Sequence, residues 1–177
     1  MVYEFASTSK ITLPGAGISC MASSAANIDY IANLANVQLI SYDKVNQMRH
    51  VLYLKDRAHT LELMKKHAAI LKPKFAMVLE TLEREIAPCG IAEWQKPKGG
   101  YFVSVNTMEG IAGRTLALCK EAGVVMTAAG ATFPYGKDPR DSNIRIAPSL
   151  PPVEELEQAM EVFCVSMKLA ALEKLLG

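Results

Sequence analysis

The chain has 177 residues, half of them hydrophobic, and a formal net charge of +1. That length can bury a core as one domain, or as one domain plus part of another. The near-neutral charge, with Lys and Arg dispersed among Asp and Glu, argues against a nucleic-acid reader or a polybasic membrane-surface binder. The four cysteines, Cys20, Cys89, Cys119 and Cys164, form no CxxC pair, and there are only three histidines, His50, His59 and His67. No metal site is expected from that set, and the composition reads as reduced intracellular protein. No charged stretch followed by an apolar run marks a signal peptide, and no apolar run approaches the ~20 residues of a membrane helix. A soluble, cytoplasmic protein is expected.

In chain order, Val2 to Ala6 is short, apolar and aromatic and predicts a strand. Ser7-Thr8-Ser9-Lys10 follows, then a loop of small residues, Pro14-Gly15-Ala16-Gly17. Apolar residues at helical spacing predict a helix from Ser24 to Leu39. A second is predicted from Asp43, a natural N-cap, to Leu54. The longest periodic stretch, Arg57 to Ile86, contains Pro73, where a kink or break is expected because proline lacks the helical donor. Ile91 to Trp94 and Tyr101 to Val105 read as strands around a Gly-Pro turn. Ile111 to Ala122 reads as a helix stopped by Gly123, followed by a short strand at Val124 to Met126. A polar loop from Thr127 to Ser142 leads to a last strand, Asn143 to Ala147. Pro151-Pro152 with Glu154 and Glu155 start a final helix to about Leu176. The order after Arg57 suggests an α+β domain with helices on one face of a small sheet. The segment before it cannot close a core of its own.

Two residues stand out chemically. Lys10 follows an apolar strand and sits among hydroxyls. At the end of a buried strand it would be partly desolvated, which favours the neutral amine that Schiff-base chemistry requires. Ser7 and Ser9 share one side of an extended chain and could donate to a phosphate. An ordinary surface lysine in a turn is the alternative. Arg145 lies in the apolar run Asn143-Ile144-Arg145-Ile146-Ala147, where its planar fork suits a carboxylate. An internal salt bridge to Asp138, Asp141 or Glu154 is the alternative. Trp94 reads as core, and the three histidines read as partly exposed helix residues. Arg140 reads as a surface charge or loop anchor.

Ser7-Thr8-Ser9-Lys10 followed by Pro14-Gly15 is similar to the cofactor-lysine motif of fold-type I pyridoxal-phosphate aminotransferases. Gly99-Gly100-Tyr101-Phe102, Ala122-Gly123-Val124-Val125, Gly130-x-x-Phe133 and Asn143-Ile144-Arg145-Ile146 resemble, in order and spacing, the small domains of the same family. The resemblance covers Tyr3 to Leu176. It implies that pyridoxal 5'-phosphate is the cofactor, that Lys10 is the catalytic residue holding it, that Ser7 and Ser9 meet its phosphate, and that Arg145 takes the substrate α-carboxylate. One departure is that Gly17 stands where the family has its phosphate arginine. The variant resembles a divergent aspartate aminotransferase branch, also similar to the aminotransferase-like half of MocR-type regulators.

The family likeness implies an α/β fold. Residues 1–57 are expected to be the end of a cofactor-binding large domain, and 58–177 an α+β small domain with an antiparallel-rich sheet. The implied partners are an amino acid, aspartate first, and a 2-oxo acid, 2-oxoglutarate. No nucleic acid or membrane is implied for this portion. The residues that grip the cofactor ring lie earlier in such proteins, so an amino-terminal half is expected to be missing, the chain is expected to be inactive alone, and the complete protein is expected to be a homodimer. Alternatives on the same scaffold are a lyase or decarboxylase, or a non-catalytic effector domain of a MocR-type regulator.

Overall fold

Strand Glu4–Ser7 (β1) pairs antiparallel with Ser19–Ala22 (β2), with Phe5 opposite Met21 and Ser7 opposite Ser19, in a computed structural model that describes residues 2–177. The first strand lies slightly later than the sequence predicts, and β2 is not predicted at all, because Ser19 and Cys20 carry no alternating apolar signal. The helix Ala25–Gln38 (α1) follows Ser24 at the N-cap position. Lys44–Leu54 (α2) begins after Asp43, whose carboxylate accepts from the Asn46 amide at 2.9 Å, as the sequence suggests.

Arg57–Glu85 (α3) is continuous through Pro73, so the expected break does not occur. A proline costs the helix one donor, the one the Ala69 carbonyl would use, and the remaining turns hold the element together. The chain divides within this helix into two compact units, residues 1–68 and 69–177.

The first unit builds no hydrophobic core. Phe5, Val37 and Ile40 are exposed, and His50 is the one fully buried side chain among its described residues. The second unit has an interior. Ala92–Trp94 (β3), Val103–Thr107 (β4) and Asn143–Ile146 (β5) form an antiparallel sheet in that order. Strand alternation divides its faces. Val103, Val105, Ile144 and Ile146 are buried, while Ser104, Asn106, Asn143 and Arg145 take the other side. The buried face joins Val78, Leu82 and Ile86 with residues of Ala112–Glu121 (α4) and Val153–Leu176 (α5), among them Phe163 and Met167. This is the mixed α/β arrangement with helices on a small sheet that the residue order implies.

Val124 to Met126 is not a strand. The Val124 amide turns back to the Cys119 carbonyl at 2.8 Å after Gly123, which takes the left-handed φ of +89°. Trp94 packs on the core as expected. Cys119 and Cys164 are free and buried, and burial is the main cause that pushes the Cys164 thiol up to about 12. Both act as packing groups rather than nucleophiles. Among the described residues no cluster of His, Cys, Asp and Glu could hold a metal ion, and no helix is long and apolar enough to cross a membrane.

Phe163 is fully buried at the centre of this core. Phe163→Ala should cost about 3–5 kcal/mol of stability, read from urea unfolding followed by Trp94 fluorescence.

Candidate active site

Lys10 lies in the loop that joins β1 to β2, residues 8–18. It is exposed, and β1 is exposed along its length. The desolvation expected of a buried strand end is therefore not supplied by this unit. Ser7 and Ser9 do share one side, with hydroxyl oxygens 2.7 Å apart, and the Ser9 amide donates to Ser7 Oγ at 3.1 Å. The arms of the loop close through the Thr8 amide on the Ile18 carbonyl at 2.9 Å and the Ile18 amide on Thr8 Oγ1 at 3.0 Å.

Gly17 packs directly on Ser9. A methyl group built there would collide with Ser9 Oγ and lie 2.9 Å from its Cα and 3.0 Å from its backbone nitrogen. No side chain fits at position 17 in this conformation, which is the physical reason an arginine cannot stand there.

The face of α2 holds the loop. Asn46 Nδ2 donates to the Ala16 carbonyl at 2.9 Å. One turn on, His50 Nδ1 lies 2.9 Å from the Asn46 carbonyl, and Nε2 lies 2.9 Å from Thr12 Oγ1 and 3.2 Å from Thr8 Oγ1. His50 is 2% exposed, which corrects the expectation of a partly exposed helix residue. A sequence signal does exist: Asn46 and His50 are four apart, on one helix face. His59 is exposed and pairs with Asp56 at 2.9 Å, and His67 is half-buried.

Arg145 belongs to the other unit. It stands opposite Ser104 on the polar face of the sheet, half-buried rather than inside the apolar core. Its guanidinium lies over the Phe102 ring, 4.2 Å from the centroid, a cation–π contact. Its Nε is buried without a hydrogen-bond partner among the described residues. Two of the carboxylates that could have neutralised it are committed elsewhere. Asp138 accepts from the amides of Arg140, Ser142 and Asn143 at 2.8–3.0 Å, and Asp141 accepts from Gly113 at 2.8 Å. Glu154 sits in the first turn of α5. Asn143 ties the strands together beside Arg145, donating to Asn106 Oδ1 at 2.7 Å and accepting from Thr132 at 2.9 Å. Phe102 carries no sequence signal beyond that of an aromatic in the Gly-Gly-Tyr-Phe run, and its place under the guanidinium emerges only from the structure.

The fold is that of pyridoxal-phosphate-dependent aminotransferases of fold type I. An α-aminoadipate aminotransferase from Thermus thermophilus, complexed with N-(5'-phosphopyridoxyl)-L-leucine, superposes with a TM-score of 0.77 at 17% identity, over 96% of this chain and 42% of that one, a likeness of fold alone. An aspartate transaminase from Corynebacterium glutamicum superposes with a TM-score of 0.93 at 46% identity, over 97% of this chain and 41% of that one. The sequence model described as aspartate amino-transferase matches residues 1–177, and the chain belongs to that family. An aspartate aminotransferase of Corynebacterium glutamicum is 47% identical over 171 residues, covering 97% of this chain. The chain spans 40% of the length of that relative.

Two outcomes follow from this geometry. Gly17→Ala should lose about 1–3 kcal/mol through displacement of Ser9, seen as a lower midpoint in thermal unfolding by circular dichroism. The three amides hold the Asp138 carboxyl below its ordinary value, with the Ser142 amide the largest cause. A depressed carboxyl stabilises the fold above its unfolded value of 3.8, and that contribution is lost as pH falls through the lower folded value. Acid titration of the Ser142 and Asn143 amide resonances should show this step, and Asp138→Asn should abolish it while loosening the loop at neutral pH.

Proposed function

We propose that this chain carries the cofactor lysine and the carboxylate arginine of an aminotransferase that uses pyridoxal 5'-phosphate to move an amino group from aspartate to 2-oxoglutarate. The observation that carries the reading is Lys10, an exposed amine beside a pair of serine hydroxyls on a tightly closed loop. The 47% identity to a protein named aspartate aminotransferase supports aspartate as the amino donor.

The residues fit a phosphate-bearing aldehyde. Ser7 and Ser9 are exposed, and each hydroxyl can turn its hydrogen from its neighbour to a phosphate oxygen. Gly17 leaves that end of the site with neutral donors rather than a guanidinium. When bound, the cofactor supplies the electron sink for the charge left at the substrate α-carbon. Lys10 Nζ holds the cofactor and moves the proton at that α-carbon. Arg145 presents its fork to the α-carboxylate, and Phe102 keeps the guanidinium plane fixed while its N–H edges stay available.

The reading takes residues 1–57 as part of the cofactor-binding domain and 58–177 as the small domain. It includes a homodimer, as the family resemblance implies, and a cytoplasmic location, as the composition suggests. Turnover is assigned to a protein with the relatives' full length, of which these residues match 40%.

Incubation of the chain with pyridoxal 5'-phosphate, borohydride reduction and peptide mapping should place the pyridoxyl group on Lys10 in preference to the other exposed lysines. Replacing the matching part of the Corynebacterium glutamicum relative with this chain should give oxaloacetate from aspartate and 2-oxoglutarate. Lys10→Ala should stop that reaction, and Arg145→Gln should raise KM roughly 10–100-fold through loss of a charge-assisted double hydrogen bond. Labelling spread evenly over the lysines would overturn the lysine assignment, and turnover by the 177-residue chain alone would overturn the need for the remaining length.

A further inference from the structure

We infer that His50 is a positioning residue for Lys10, the centre of a hydrogen-bonded clamp that fixes the lysine loop from the face of α2. The inference rests on the proposed role of Lys10 and extends it to a residue with no motif of its own.

Three observations carry it. The imidazole is buried in a unit that buries no other side chain fully among its described residues. Its two nitrogens are both engaged. The Asn46 carbonyl can only accept, so Nδ1 carries a hydrogen, and in that tautomer Nε2 offers a lone pair to the threonine hydroxyls. Each hydroxyl also has a carbonyl in reach, Thr12 Oγ1 donating to the Thr8 oxygen at 3.0 Å and Thr8 Oγ1 to the Ile18 oxygen at 3.3 Å, but the ring nitrogen is nearer in each case, at 2.9 and 3.2 Å. The Thr8 carbonyl already takes the Ile11 and Thr12 amides at 2.9 and 3.0 Å, and the Ile18 carbonyl takes the Thr8 amide.

The placement gives the clamp its function. Thr8 and Thr12 stand two residues before and two after Lys10. One ring therefore grips both sides of the lysine, while Asn46, one helical turn earlier, grips the returning arm at Ala16. A loop without an apolar anchor has many conformations of similar energy, and only those that aim the amine at one point are useful to a cofactor. The clamp selects among them by direction as well as by energy.

The test uses the full chain and separates the clamp from the cofactor reading. His50→Leu should accelerate hydrogen exchange of the amides of residues 8–18 by about tenfold, the effect of losing roughly one net hydrogen bond, with no change in residues 69–177. Thr12→Val, which leaves the ring in place, should give a smaller acceleration in the same amides. In the parent chain, ¹⁵N shifts of the His50 ring should report the Nδ1–H tautomer. The preference of pyridoxal 5'-phosphate labelling for Lys10 over other exposed lysines should fall in His50→Leu and be partly restored in His50→Gln, whose amide can replace one of the ring's bonds. Unchanged exchange at residues 8–18 in both His50→Leu and Thr12→Val would overturn the clamp. Faster exchange with an undiminished preference for Lys10 would overturn the positioning role. Faster exchange together with no preference in the parent chain would leave the clamp standing and remove both the positioning role and the cofactor reading it rests on.

Discussion

The ring of His50 sits where two threonine hydroxyls, a backbone carbonyl and a helix face converge, and the conformation of the 8–18 loop depends on that meeting. A unit with exposed Phe5, Val37 and Ile40 has no apolar interior to hold a loop in place. Among these residues, the contacts that hold the loop are directional bonds. A buried imidazole suits this because its two nitrogens bond in fixed, divergent directions within the ring plane, so satisfying both fixes two pieces of backbone relative to each other. Gly17 completes the arrangement from the other side, since its missing side chain lets the returning arm lie against Ser9.

The second unit solves the opposite problem. Its sheet is held by a continuous apolar face, with Val103, Val105, Ile144 and Ile146 packed toward Phe163 and Met167. Rigid packing frees the other face for polar side chains, and strand alternation puts Arg145 there rather than in the core. A guanidinium needs an orienting contact that does not consume its N–H groups. Phe102 meets that need through its ring face, whereas a carboxylate at the same place would neutralise the charge and occupy the fork. Asp138 spends its carboxylate on three loop amides, those of Arg140, Ser142 and Asn143, and so orders the loop that leads into β5.

How far the sequence can be read follows from these two modes of construction. Helix starts at Ser24, Asp43 and Pro152 and the strands around Val103 and Ile144 are legible because they rest on apolar spacing, a cap, proline and alternation, all local properties. Pro73 misleads because the cost of one missing donor is local, while the continuity of a helix of 29 residues depends on all its other bonds. Val124 to Met126 misleads because apolar character alone does not provide a partner strand. Ser7, Ser9, Lys10 and Arg145 are singled out by residue type and motif. His50 is not, since a histidine on a polar helix face looks solvated until its partners, 38 and 42 residues away in sequence, are seen to reach it.

The glycine at position 17, where the family resemblance implies an arginine, is then intelligible in terms of space. An arginine there would bring a full positive charge to a phosphate, but it would need the space that Ser9 occupies. With glycine, the returning arm lies against Ser9, whose hydroxyl stands 2.7 Å from that of Ser7. In the proposed role, two neutral donors would bind a phosphate dianion less strongly than a guanidinium does, so more would depend on their being held in one place. That requirement is met by backbone closure at Thr8 and Ile18 and by the contacts from α2.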